Sequence, residues 1–166
     1  SDHAGVKLKT VKATIDVNRE QRTRLIDKAR RFFPTFRDVR VAIIGLTFKP
    51  GTDDLREAPA KQNIDILLNE GADIIAWDPL GVENFRKRYP NCAINFAKDI
   101  DEALTDADVC LIMTEWEKIV EYPLDNYKKY MKRPLVFDGR NCYKLSEAEK
   151  HEIFYDSIGR KIVDTL

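Results

Sequence analysis

Val39 to Leu46, VRVAIIGL, is an almost continuous run of β-branched and apolar residues. A strand of that composition has no face suited to water, so it belongs inside a sheet covered on both sides. The chain after it alternates between two periodicities. Pro59 stands near the first turn of a helix whose Ala60, Ile64, Leu67 and Leu68 share a face, with Gly71 as its stop. Ala72 to Trp77 reads as a strand ending at Asp78 and Pro79, Val82 to Tyr89 as a short helix, and Ala93 to Phe96 as another strand. Ile100 to Ala107 follows as a helix, Val109 to Thr114 as an apolar strand, and Tyr127 to Met131 as the end of a helical piece. Leu135 to Asp138 and Phe154 to Ile158 are the last strands. Strands separated by helices imply crossover connections. The expected fold is α/β, Rossmann-like and doubly wound, a mainly parallel sheet in three α/β/α layers.

Ahead of this region, apolar residues fall at Val11, Ile15, Leu25, Ile26, Ala29 and Phe33 among charged ones, which is helical spacing interrupted by Asn18 and Gln21. Pro34 closes that helix. A long helix with few neighbours of its own reads as a connector, so residues 1–36 are assigned to a connector and dimerisation helix and 37–166 to one domain. An apolar seam on its exposed face would serve dimerisation.

Lys plus Arg and Asp plus Glu are equal at 28 each, so no global field favours nucleic acid or an acidic membrane. No run is long and apolar enough for a membrane span, and the first residues lack a signal-peptide pattern. Cys92, Cys110 and Cys142 are odd in number and lack CxxC spacing, which fits neither a disulfide framework nor a zinc site and points to a reducing cytoplasm.

In open parallel sheets ligands sit beyond the carboxyl ends of the strands. Two strand ends run into loops rich in polar groups: Thr47-Phe48-Lys49-Pro50-Gly51-Thr52-Asp53-Asp54-Leu55-Arg56-Glu57-Ala58-Pro59, and Asp138-Gly139-Arg140-Asn141. The first has only Gly45 near the strand end, with no GxGxxG, so a backbone cradle for a dinucleotide pyrophosphate is not supported. Side-chain binding is the alternative: Lys49 as a flexible point charge, Arg56 as a planar fork for phosphate. A nucleotide diphosphate or its sugar is the matching ligand.

GLTFKPGTDDLREAP, AWDP at Ala76 to Pro79 and FDGRN at Phe137 to Asn141 together resemble the third domain of the UDP-glucose dehydrogenase family, in order, from about Asn18 to about Tyr143. In that family a first Rossmann domain binds NAD, a central long helix builds the dimer, and a Rossmann-like C-terminal domain binds the UDP part of the substrate. The segment Val17 to Gln21 resembles the end of the central helix. The resemblance implies that Phe48 and Lys49 contact the UDP-sugar, that Arg140 binds substrate, and that Arg56 reaches the NAD held by the first domain. It implies oxidation of a sugar 6-hydroxyl to a carboxylate with two NAD, UDP-glucose ranking ahead of UDP-N-acetylhexosamines. It also implies a homodimer for the intact enzyme. The family's nucleophilic cysteine lies in a GFGGSC-type segment, which these residues do not contain, so no catalytic residue is assigned and the chain alone is expected to be inactive.

Each residue also has a plainer reading. Lys49 and Arg56 are loop charges of the kind usually found solvated. Arg140 suits an ion pair with Asp138 or another carboxylate, Asp53 and Asp54 suit capping of the helix after them, and Asp78 suits a turn or cap with Pro79. A neighbouring arginine could make Cys142 a reactive thiolate, which would suit a small self-sufficient enzyme; Cys110 reads as a buried hydrophobe and Trp116 as core or interface. The remaining alternative is a stand-alone nucleotide-binding module.

Overall fold

A computed structural model describes Val17 and residues 21–165 of the chain. Its elements run α1 (Arg24–Ala29), β1 (Arg40–Ile44), α2 (Pro59–Asn69), β2 (Asp73–Trp77), α3 (Val82–Arg88), β3 (Asn95–Phe96), α4 (Ile100–Leu104), β4 (Val109–Ile112), α5 (Glu117–Val120), α6 (Asp125–Tyr130), β5 (Leu135–Asp138), α7 (Leu145–Lys150) and β6 (Phe154–Ser157). The strands form one six-stranded sheet in the order β3-β2-β1-β4-β5-β6, every neighbouring pair parallel. The doubly wound α/β fold expected from the alternation is the one observed, with its reversal of strand order between β1 and β4.

Alternation along the strands divides the interior. Val41 and Ile43 of β1 join Leu111, Phe137, Phe154, Ile64 and Leu67 on one face, while Ala42 and Ile44 join Ile112, Val136, Tyr155, Leu104 and Tyr127 on the other. Both faces of β1 are buried, which is why its sequence shows no polar positions between Val41 and Ile44.

The helix expected over Val11 to Phe33 lies partly outside the described residues. Within them, α1 ends at Ala29, and the amides of Phe32 and Phe33 fold back onto its carbonyl, so the turn comes before Pro34. Nor does this segment lack neighbours. Leu25, Ile26 and Ala29 are buried in the first core cluster, Lys28 Nζ meets the buried Asp156 carboxylate at 2.5 Å, and Asn63 Nδ2 donates to the Arg22 carbonyl at 2.7 Å. Helices α5 and α7 were not marked by apolar periodicity because they are too short, at four and six residues, to display it.

The register places Ile44 beside Trp77 and Ile112, Ile112 beside Asp138, and Asp138 beside Ser157. Those five strands therefore end in one row, and their loops converge on one edge. At Gly45, the first residue past β1, φ is +94° and a Cβ would lie 2.6 Å from the Thr114 Cβ. Gly45→Ala should therefore destabilise the fold by at least about 2 kcal/mol in urea unfolding, through overlap and positive φ together. A variant with wild-type stability would show that the two loops do not approach this closely.

Candidate functional site

The carboxyl edge of the sheet is held by carboxylates rather than by glycine-rich backbone. Asp78, just past β2, is 5% exposed and accepts on Oδ2 from Leu46 N at 2.7 Å, Thr47 N at 3.2 Å, Thr47 Oγ1 at 3.2 Å and Trp116 Nε1 at 3.1 Å. Its Oδ1 accepts from Leu80 N and Gly81 N at 2.9 and 2.6 Å, the turn role anticipated beside Pro79. The amides that a dinucleotide-binding turn would offer to pyrophosphate are thus spent on an internal carboxylate. Asp138, fully buried at the end of β5, does the same for the neighbouring loop, accepting from Arg140 N at 2.6 Å, Cys142 N at 2.7 Å and Tyr155 OH at 2.6 Å.

Arg140 then ties the loops together. Its Nε donates to the Met113 carbonyl at 2.8 Å and its Nη2 to the Phe48 carbonyl at 2.9 Å, while Glu115 Oε2 stands 3.2 Å from Nε. The ion pair weighed with Asp138 is therefore made with Glu115, because the Asp138 carboxylate is occupied by the Arg140 amide, the Cys142 amide and Tyr155. A cleft of about 370 Å³ lies against this arrangement, lined by Leu25, Phe48, Met113, Gly139 and Arg140 among others. It sits beside the ends of β1 and β4, where the strand order reverses.

A second, more open cleft of about 730 Å³ is lined by Arg56, Lys61, Arg88 and Tyr89, and shares Arg22, Phe48 and Glu57 with the first. Glu57 has φ +61° and is paired with Arg22. Phe48 is the common wall, a ring 44% exposed directly after the buried Leu46 and Thr47. The structure thus brings Phe48 and Arg140 together at one cleft and Phe48 and Arg56 at the next. Lys49 is exposed on the same loop and lines neither.

Asp53 and Asp54 do not cap α2, whose N-cap is Ala58 without a side-chain cap. The loop is too long for that. Asp54 instead grips Arg56 through both oxygens, and the Arg56 guanidinium holds its pKa down at about 2. The reactive-thiolate reading of Cys142 fails: burial and the Asp138 carboxylate push its thiol well above the usual range, outweighing Arg140. Cys110 is fully buried, as expected.

Three consecutive residues went unnoticed as site-builders. Thr114 Oγ1 donates to the Thr47 carbonyl at 2.6 Å, Glu115 meets Arg140, and Trp116 donates to Asp78. They follow β4, and the strand-end rule that singled out two other loops applies equally to this one.

Residues 42–145, more than half of the chain, match the UDP-glucose/GDP-mannose dehydrogenase family, UDP binding domain. The chain is 40% identical over 153 residues to UDP-glucose 6-dehydrogenase YwqF of Bacillus subtilis, covering 92% of this chain and 34% of that protein. It is 42% identical over 124 residues to the UDP-glucose 6-dehydrogenase of Rhizobium meliloti, covering 75% and 28%. A solved UDP-glucose dehydrogenase from Pyrobaculum islandicum shares the fold with a TM-score of 0.77 at 24% identity, over 93% of this chain and 33% of that one. The chain therefore spans about a third of the relatives it matches.

Asp78→Asn keeps the shape but turns an amide NH2 toward N–H donors, and should cost about 2–4 kcal/mol in urea unfolding; wild-type stability would remove Asp78 from its place as anchor. Cys142 should alkylate with iodoacetamide at pH 8 roughly tenfold more slowly than a free cysteine, since only the thiolate reacts. Mass spectrometry of the labelled peptide reads this directly, and labelling as fast as free cysteine would contradict the assigned environment.

Proposed function

The chain belongs to the UDP-glucose/GDP-mannose dehydrogenase family through its UDP binding domain, and on that premise we propose that it binds the UDP moiety of a UDP-sugar in the cleft between Phe48 and Arg140. The observation that carries this is the Arg140 guanidinium. It is fixed at the strand-order reversal by two carbonyls and a carboxylate and lines the cleft beside an exposed aromatic ring. Arg140 serves the diphosphate as a planar donor, Phe48 covers the nucleotide with its ring, and Lys49 supplies a flexible charge from the same loop.

Arg56 is assigned to a phosphate of NAD held elsewhere in the enzyme. The β1 turn does not itself fit a dinucleotide, since its amides face Asp78, whereas Arg56 is exposed on the rim of the second cleft and suits a contact with a neighbour. NAD supplies the hydride acceptor when bound. In the intact enzyme the reaction is oxidation of UDP-glucose at its 6-hydroxyl to UDP-glucuronate. The naming of the 30–42% identical relatives as UDP-glucose 6-dehydrogenases favours that sugar over a UDP-N-acetylhexosamine. The nucleophilic thiol is assigned to another segment of the enzyme, since burial raises the pKa of Cys92, Cys110 and Cys142 alike and keeps all three as neutral thiols. A homodimer joined through the central helix and a cytoplasmic setting complete the proposal. Three unpaired cysteines suit a reducing compartment, and no described helix is long and apolar enough to cross a membrane.

Calorimetry with UDP and UDP-glucose should give saturable binding of both. Arg140→Ala should weaken UDP at least tenfold, the worth of a charge-assisted hydrogen bond, and Arg56→Ala should leave it unchanged. Absence of UDP binding at millimolar ligand would reject the reading and favour a nucleotide module of another kind.

A further inference from the structure

Glu115 is only partly buried, yet one of its carboxylate oxygens is sealed from solvent. Its Oε2 is buried and takes no hydrogen bond, yet lies 3.2 Å from Arg140 Nε, so its one close partner among the described residues is an electrostatic one. A buried carboxylate oxygen without a donor is costly unless a cation compensates it. Its backbone neighbours leave it no alternative place. Thr114 is fully buried and bonded to the Thr47 carbonyl, and Trp116 is bonded to Asp78. Glu115 is carried between two clamps.

The other half of the pair is equally defined. A guanidinium has five N–H donors in a rigid plane. Arg140 spends its side edge internally, Nε toward the Met113 carbonyl and Glu115, Nη2 toward the Phe48 carbonyl. Nη1, together with the second hydrogen of Nη2, forms the end-on edge, which makes no hydrogen bond among the described residues. Because Arg140 lines the smaller cleft, the unused edge is the one available to a ligand.

We infer that Glu115 is a positioning residue: it holds the side edge of Arg140 so that the end-on edge is presented to the diphosphate of a bound nucleotide. This rests on the UDP-binding reading above and assigns a role within the same site. A carboxylate on the side edge leaves the opposite edge free, so it orders the cation without competing for its ligand. Removing it frees a long side chain to sample other rotamers, and the ordering cost then falls on the binding step.

Glu115→Gln in the 166-residue chain tests this, with UDP and uridine titrated in parallel by NMR and the Arg140 Nε–Hε resonance followed without ligand. The expected result is a roughly tenfold loss of UDP affinity with uridine affinity unchanged, the loss expected when one charge-assisted contact is misplaced. The Nε–Hε signal, protected from exchange in the wild type, should become exchangeable in the variant. Equal losses for UDP and uridine would mark a general structural defect and overturn the inference. Tighter UDP binding would show that Glu115 competes with phosphate, which also overturns it. A wild-type chain with a protected Nε–Hε but no affinity for UDP would reject the proposed function and reduce the pair to a structural one. A variant that retains both the protected signal and UDP binding would reject the positioning role alone.

Discussion

The row of strand ends at the carboxyl edge of the sheet creates a problem that the rest of the molecule is arranged to solve. Parallel strands satisfy their backbone groups up to Ile44, Trp77, Ile112 and Asp138, and beyond that row each loop must find partners elsewhere. Two buried carboxylates take the N–H groups: Asp78 for the β1 and β2 loops, Asp138 for the loop after β5. The Arg140 guanidinium takes carbonyls of the β1 and β4 loops. Donors and acceptors are thereby matched across four loops, and the edge becomes a fixed surface rather than a set of independent connections.

That solution explains why the chain lacks a glycine fingerprint while keeping a doubly wound sheet. A close backbone cradle requires free amides at the first turn, and here Leu46 and Thr47 direct theirs to Asp78. What remains for a ligand is side-chain chemistry on a rigid support. Phe48 separates two clefts, one against Arg140 and one against Arg56. A nucleotide in the first and a neighbouring cofactor at the rim of the second would meet across that ring.

Much of this was legible in the sequence because it depends on local pattern. The continuous apolar run at Val41 to Ile44 signals a strand covered on both faces, and the alternation after it signals crossovers. The position of Arg140 after β5 was readable for the same reason. The role of Asp78 was only half legible. A carboxylate before Pro79 announces a turn, but its bonds to Leu46, Thr47 and Trp116 span 31 to 38 residues, and no local rule reaches that far. Glu115 was hidden in the same way, since its meaning comes from a cation 25 positions later that shares no periodicity with it. Capping by Asp53 and Asp54 failed because the loop runs on past them, leaving Asp54 to Arg56. The segment around Leu25 was read as a connector since its contacts, with Asp156 and Asn63, lie far along the chain.

On the proposed function, a UDP-type ligand enters at the reversal of strand order and is received by the loops that Arg140 joins. Amide chemical-shift mapping of the chain during a UDP titration tests it most directly. The expected shifts concentrate at Phe48, Met113, Gly139 and Arg140, with the opposite edge around Arg40, Asp73, Asp108 and Lys132 silent. Shifts confined to that opposite edge, or spread evenly without saturation, would contradict it.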